Sequence, residues 1–322
     1  HNIGASYKKD EREIGSGFVT SSLMSYIARA NYSYDNRYFL TATARYDGSS
    51  KFAQDHHWGL FPSFSGAWNI TEETFMQEQN ILDQLKLRVG YGIAGNQNID
   101  DYAFLSLYSA RVNNNKPSIT ASDRRGTEYI KWEKQRQFNI GVDMGFLQNR
   151  IRFSADAFFI KNKDLLMKRP LATSSGFKEA FYNIGEIENK GVEFSISANI
   201  VRTNDFEWNM SANLSADKNK VTKLYGDLNH IYKVDGDRNI EKEGNLFVGE
   251  SRNTIYIWKA GGIEKVADLD RLREINLNGY KVGAGDLYPL DANGDKVIDQ
   301  DDRVVVGSTD PKFYGGFSTD FT

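Results

Sequence analysis

A chain of 322 residues with a formal net charge of −3 makes no electrostatic case for nucleic acid, and having no cysteine it excludes disulfides, thiolate metal sites and thiol nucleophiles. No run approaches the roughly 18 apolar residues of a membrane helix. That leaves strand crossings open, because a barrel strand shows lipid only alternate residues, and 17 Tyr, 20 Phe and 5 Trp are plentiful enough for aromatic girdles.

Period-two alternation predicts strands at 24–34, 37–47, 58–69, 84–94, 131–146, 150–162, 188–202, 205–217 and 311–322. Apolar faces come in order: Tyr26, Ala28, Ala30, Tyr32; Tyr38, Leu40, Ala42, Ala44; Leu60, Phe64, Trp68; Leu85, Leu87, Val89, Tyr91. Phe138, Ile140, Val142, Met144 and Phe146 form the next, then Ile151, Phe153, Ala155, Ala157 and Phe159. The last are Val192, Phe194, Ile196, Ala198 and Phe206, Trp208, Met210, Ala212, Leu214. Opposite faces carry Gly, Ser, Asn and charge, as a water-filled lumen requires.

The connections sort by length. Asp35-Asn36, Leu147-Gln148-Asn149 and Thr203-Asn204 are tight. The link at 70–83 reads as a short helix, with Thr71 as cap, Glu72 and Glu73 in its first turn, and Phe75 and Met76 as an apolar side. Links near 48–57, 95–130, 163–187 and 218–310 are long. Alternating strand direction puts the tight turns at one end and the long loops at the other, the asymmetry of outer-membrane barrels. The fold class expected is therefore all-β, a transmembrane antiparallel β-barrel. The chain opens at His1 and stops at Thr322 inside an alternating segment, as expected of an internal piece of a longer protein. A soluble sheet with one buried face is the competing reading of alternation alone.

Specific blocks narrow the choice. Asp47-Gly48-Ser49-Ser50-Lys51-Phe52, then Trp58-Gly59-Leu60-Phe61-Pro62-Ser63 and Ala67-Trp68, lead to Leu85-Lys86-Leu87-Arg88, Tyr91-Gly92 and Gly95-Asn96-Gln97. Trp132-Glu133, Asn139-Ile140-Gly141-Val142-Asp143, Asn183-Ile184-Gly185 and Asn189-Lys190-Gly191-Val192-Glu193 follow. Asp291-Ala292-Asn293-Gly294-Asp295, Asp302-Arg303 and Pro311-Lys312-Phe313 close the series. In this order the blocks resemble the SusC/RagA family of TonB-dependent transporters over nearly the whole chain. The resemblance implies a large plugged barrel, generally of 22 strands, in the outer membrane of Bacteroidetes-type bacteria. It also implies a SusD-like surface lipoprotein as lid, TonB as the energy source, and a glycan or peptide cargo. The plug, the TonB-contact segment and the final strands would lie outside 1–322.

One loop has the spacing of a calcium site: Asp291, Asn293, Asp295, Val297 through its carbonyl, Asp299 and Asp302 occupy positions 1, 3, 5, 7, 9 and 12. Lys296 stands where an EF-hand has Gly, and Asp302 is shorter than the usual Glu; the Gly294 and Asp302 positions look more like dockerin loops. A structural Ca2+ would stiffen the loop, and a solvated acidic turn is the alternative. Tyr102, Phe104, Tyr108, Tyr129, Tyr256 and Trp258 are candidate substrate-binding aromatics on long loops, with loop packing as the competing role. Lumen-side Arg45, Lys86, Arg88, Arg152, Asp156 and Glu193 are expected to pair with one another or with the plug.

His1, His56, His57 and His230 are too few and scattered for a triad or zinc site, and no carboxylate pair marks a glycosidase. Gly90-Tyr91-Gly92 lies in a strand pattern, not before a helix, so it makes no phosphate loop. The reading is a nutrient importer that performs no covalent chemistry. A secreted, calcium-stabilised β-sandwich adhesin or carbohydrate-binding module is the alternative.

Overall fold

The computed structural model describes residues 19–113, 116–233, 244–268, 274–279 and 281–322. His1 and parts of the predicted 218–310 link lie outside the described residues. In chain order come β1 (Leu23–Tyr34), β2 (Tyr38–Ser49), β3 (Trp58–Asn69) and β4 (Leu82–Asn96). The next link holds β5 (Tyr108–Asn113), β6 (Lys116–Ala121) and β7 (Arg124–Arg125). Then follow β8 (Glu133–Phe146), β9 (Ile151–Lys163), β10 (Leu166–Pro170), β11 (Glu179–Asn183), β12 (Glu186–Arg202) and β13 (Glu207–Lys223). The longest link carries β14 (His230–Ile231), β15 (Leu246–Phe247), β16 (Thr254–Trp258), β17 (Ala260–Ile263), β18 (Leu287–Pro289) and β19 (Arg303–Ser308), before β20 (Tyr314–Phe321).

One nine-stranded sheet runs β1-β2-β3-β4-β8-β9-β12-β13-β20. All nine predicted strands are members of it, in chain order. Among the described residues β1 and β20 pair on one side only, so the sheet is a partial barrel wall. Two compact units divide the chain: His1–Glu78, Lys86–Ile140 and Asn162–Ile184 form the first, and Gln79–Leu85, Gly141–Lys161 and Gly185–Thr322 the second.

In the first unit the register keeps the apolar residues together. Ala28 faces Ala44, Ala30 faces Ala42 and Tyr32 faces Leu40. Ala42 then faces Phe64, and Phe64 faces Tyr91. This side is not covered: Leu40 is 56% exposed and Phe64 58%. A sandwich would bury these residues against a second sheet, and in a wall they meet lipid. Aromatics close the band at both ends. Trp58 stacks on Tyr46 at 4.8 Å and on Tyr26 at 6.0 Å, and Trp68 stacks on Tyr38 at 6.4 Å. Gly48, opposite Trp58, makes the upper stack possible, since a Cβ there would lie 2.8 Å from three ring carbons.

In the second unit Phe194 faces Leu214, Ile196 faces Ala212 and Ala198 faces Met210. Ala212 continues to Phe317, and Trp208 to Phe321, whose rings stack at 5.6 Å. β12 and β13 each have 17 residues, beyond the roughly 9–11 that cross lipid. Their surplus carries Glu186, Glu188, Asp217, Lys218 and Lys220, so β13 runs on past the predicted end at 217 as a polar extension.

Short links gather at one end of each unit. Asp35 and Asn36 both have positive φ (50° and 51°), and the Arg37 N–H donates to the Tyr34 carbonyl at 2.9 Å, closing a tight turn in the three-residue link between Tyr34 and Tyr38. The Asn36 carbonyl accepts from the Asn69 side chain, and the Arg37 carbonyl from the Asn69 backbone N–H. Leu147, Gln148 and Asn149 are all left-handed, and the Asn149 N–H donates to Asp83. The Arg150 guanidinium donates to the carbonyls of Asn199 and Ile200 beside the 203–206 turn.

The predicted helix after β3 is two separate 3-10 turns, Ile70–Glu72 and Thr74–Met76. The N-cap position belongs to Asn69, with Thr71 inside the turn, and Phe75 is 65% exposed. Single turns have no apolar stripe to bury. Glu73 serves a different end. It accepts from the Tyr38 hydroxyl at 2.5 Å and the Trp68 indole at 2.9 Å, and pairs with Arg37 at 3.5 Å. The Tyr38 and Trp68 hydrogen bonds hold the Glu73 carboxyl below its ordinary value. A depressed carboxyl stabilises the fold fully above the ordinary glutamate pKa, and this contribution disappears as pH falls through the depressed value. We expect wild-type urea midpoints to drop more than those of Glu73→Gln between pH 6 and pH 3; equal drops would refute the assignment.

Candidate ligand-binding loops

At the long-loop end of the first unit the links close over the polar side of the wall. Phe52, Phe61, Ile99, Ala103, Ile130, Trp132 and Phe181 form a buried cluster, with Ile93, Phe104 and Leu166 packed against it. Trp132 lies 5.1 Å from Phe52 and 5.3 Å from Phe61, and its indole N–H donates to the His57 carbonyl at 2.8 Å. Phe61 needs glycine on either side: a Cβ at Gly59 would approach its ring to 2.5 Å, and one at Gly95 to 2.1 Å.

Polar residues lace these links together. The Asn183 amide donates to the carbonyls of Lys131 (2.7 Å) and Asp164 (2.9 Å), and its oxygen accepts from the Lys131 N–H (2.8 Å). Lys51 donates to the Ile99 carbonyl at 2.9 Å. Arg124 meets Asp100 at 2.6 Å, and Lys168 meets Glu179 at 2.9 Å, with both cations over the Phe181 ring. Several blocks that carry the family resemblance thus act as loop anchors. The lacing was not legible in sequence, because its partners lie tens of residues apart.

Three of the six lumen-side residues make contacts with partners outside that set. Arg45 contacts Asp47 at 2.7 Å, Lys86 sits over Phe39 at 5.3 Å, and the Ser154 hydroxyl donates to Asp143 and Asp156. Lys161 bridges Glu186 (2.9 Å) and Glu188 (2.8 Å), a cross-strand cluster that sequence reading missed.

The six candidate aromatics separate. Tyr102, with positive φ, Tyr108 and Tyr129 are exposed on the link between β4 and β8. Phe104 packs on the buried cluster, so it serves the loop core. Tyr256 is 5% exposed, stacked on Tyr232 at 5.4 Å and beside Phe247 at 4.9 Å. Burial, then its hydrogen bond with Tyr232, pushes the Tyr256 hydroxyl pKa up. It has no open face for a substrate. Trp258 is half-buried, with the Arg303 guanidinium 4.2 Å from its ring centre and its indole N–H donating to the Asp299 carbonyl at 2.5 Å.

In the acidic loop the oxygens are engaged by backbone. Asp291 accepts from Gly294 (2.7 Å) and Lys296 (2.9 Å), Asn293 from Asp295 (2.9 Å), and Asp295 from Val297 (2.8 Å). Asp302 is fully buried and accepts from Ala292 and Asp299, both at 2.8–2.9 Å. Asp299 caps the 3-10 turn Gln300–Asp302 through the Asp301 N–H. Lys296 takes positive φ (65°), the bend that glycine makes in an EF-hand. Among the described residues no group of three or more His, Cys, Asp or Glu side chains is arranged to hold a metal. Beyond this loop, Asp310 ties β16 to β19 by accepting from Asn253 (2.5 Å), Ser308 (2.9 Å) and Ser251. Burial raises its pKa, but these three donors outweigh that and hold it below the usual carboxylate value.

Residues 6–318 match the family described as "TonB dependent receptor-like, beta-barrel". The TonB-dependent receptor SusC of Bacteroides thetaiotaomicron is 35% identical over an alignment that covers 94% of this chain and 31% of SusC. TonB-dependent receptor P3 of Formosa agariphila is 34% identical, covering 93% of this chain and 30% of its own length. The structure described as that of the RagAB peptide transporter superposes with a TM-score of 0.76 and 25% identity, over 94% of this chain and 31% of its own. The chain therefore spans under a third of the length of these relatives. Receptors of this kind are outer-membrane β-barrel proteins. With its open nine-stranded wall, uncovered apolar side and looped-over polar side, the chain belongs to the TonB-dependent receptor β-barrel family, as a partial barrel of the SusC/RagA type.

Proposed function

We propose that the chain is the barrel portion of an outer-membrane importer that takes up a glycan or peptide in a Bacteroidetes-type cell. The carrying observation is the two-sided wall: apolar residues uncovered on one side, and loops laced by ion pairs and amides over the other. A SusD-like lipoprotein would close the mouth and TonB would act through a plug outside this chain. The long-loop end would face the medium, with 218–310 as an extracellular region, and the short-turn end the periplasm. Tyr102, Tyr108 and Tyr129 are the exposed aromatics on which cargo would stack. Transport of this kind makes and breaks no covalent bond, so the importer is not an enzyme. Deleting the gene should abolish growth on one defined glycan or peptide source and spare growth on glucose. Unimpaired growth on every source would refute import.

Calcium at the acidic loop is part of the proposal. Hard oxygen donors in the order Asp291, Asn293, Asp295 and the Val297 carbonyl support it, and each oxygen keeps a lone pair beyond its backbone hydrogen bond. Asp302 would close the loop and Asp299 would reach the ion through water. We expect calcium to raise the Tm of the intact receptor and Asp291→Ala to remove that rise. An unchanged wild-type Tm would mean that the loop closes on its own hydrogen bonds.

A further inference from the structure

A row of lysines crowns the apolar side of the β12–β13 ladder in the second unit. Lys190 faces Lys218, and one row further toward the long-loop end Glu188 faces Lys220. All four lie on the side of Phe194 and Leu214, because the pairing is regular from Ile187 to Asn199. We infer that this row binds the phosphate of a membrane lipid in the leaflet at the long-loop end. The inference rests on the proposed orientation, which makes that leaflet the outer one, and it adds a lipid site on the outside of the wall, apart from any cargo path.

Strand length sets the level of the row. From Trp208, at the short-turn end, roughly 9–11 residues cross the hydrocarbon, so β13 leaves it at 216–218. Lys218 therefore stands at the headgroups, while Val192, Phe194 and Leu214, exposed below it, meet acyl chains. Lysine stems lie well along such a surface and lift the ammonium to the interface. That accounts for one lysine, not for two facing each other. Facing residues of an antiparallel pair stand about 4.5–5.5 Å apart at Cβ, and like charges there destabilise the ladder. The register is also pinned from the other side of the sheet, where the Asn219 amide donates to the Asn189 oxygen in the adjoining row.

The carboxylates nearby are already engaged. Lys161 takes both Glu186 at 2.9 Å and Glu188 at 2.8 Å. Lys190, Lys218 and Lys220 are exposed, and among the described residues none of the three forms an ion pair. One anion between Lys190 and Lys218 turns their repulsion into two attractions. A phosphate monoester suits the place, with three acceptor oxygens and a charge of about −1.5 to −2 at pH 7, which lysine meets as a point charge. A free anion would satisfy the lysines alone. A lipid phosphate also brings acyl chains to the apolar side directly beneath, so the two halves of the surface match one molecule.

The test uses the intact receptor, stripped of lipid in detergent and titrated with monophosphoryl lipid A, its dephosphorylated form, phosphatidic acid and inorganic phosphate. Native mass spectrometry reads the bound lipid. Monophosphoryl lipid A should bind about ten-fold tighter than its dephosphorylated form, and inorganic phosphate should not displace it. Lys190→Gln with Lys218→Gln should weaken that binding about ten-fold or more. The detergent Tm should not fall, since both side chains are exposed and their repulsion is relieved. Lys265→Gln with Lys281→Gln, which removes the same charge from exposed loop positions, should leave binding unchanged. The inference is overturned if no phosphorylated lipid outbinds the dephosphorylated one, if both double variants lose binding equally, or if inorganic phosphate displaces the lipid. Lysine-dependent binding of phosphatidic acid but not of lipid A would leave the phosphate site standing and reverse the proposed orientation. Growth of the deletion strain judges import separately.

Discussion

Ala42→Arg lowers the unfolding free energy of the lipid-folded receptor by about 2–4 kcal/mol, whereas Thr41→Arg changes it by less than about 1 kcal/mol. The two residues are neighbours in β2 and point to opposite sides of the sheet. Ala42 lies midway between Tyr38 and Tyr46, flanked by Ala30 and Phe64, so an arginine there enters the centre of the apolar band. Thr41 pairs with Asn31 and Ser65, and its hydroxyl donates to the Asn31 side chain at 3.0 Å. An arginine on that polar side keeps its water. In a water-soluble sheet with this side exposed, Ala42→Arg would cost almost nothing, because exposed charged residues are ordinary. Urea titration of receptor folded into phosphatidylcholine vesicles, read by the boiling-dependent gel shift, measures both variants. Equal and small effects would show that the apolar side does not meet lipid.

Trp132→Ala carries the other large effect, about 3–5 kcal/mol, on the closure of the loops rather than on the wall. The indole fills the space between Phe52 and Phe61 and is 4% exposed. Alanine would leave a cavity there and remove one of the two donors to the His57 carbonyl, which keeps the Ser49 N–H. The strands themselves hold by ladder hydrogen bonds that Trp132 does not make. We therefore expect hydrogen exchange to accelerate at Ile99, Ile130 and Ile184, while β2 and β3 stay protected and the gel shift persists. Trp132→Phe, which keeps most of the volume, should fall between. Uniform acceleration through β2 and β3 would mean that the loop cluster and the wall unfold together.

These two residues also show how the information is divided. Ala42 was placed on the apolar side by counting in twos, and the same count placed Phe64, Val89 and Leu214. Wall strands are legible because their pattern is local and repeats over a dozen residues. The hairpin turns are legible for the same reason: Asp35-Asn36 accepts left-handed backbone at little cost. Trp132, by contrast, stood out only as part of a block that resembles the family. That it is held by Phe52, Phe61 and His57 depends on where the link before β8 meets β3 and the link that precedes it. The β5–β6 hairpin and the short strands after β13 were missed as well, since two to six residues carry too few alternations to read.

Among the loop aromatics the division is sharpest. Tyr256 and Trp258 are two residues apart with like composition around them, yet one is buried under Tyr232 and the other borders a cavity. Sequence alone determined the crossing strands, their two sides and the sorting of short from long links, because each follows from backbone period and turn chemistry. Only the tertiary structure decided which loop residues are anchors and which are exposed, because burial there is set by contacts between segments far apart in the chain.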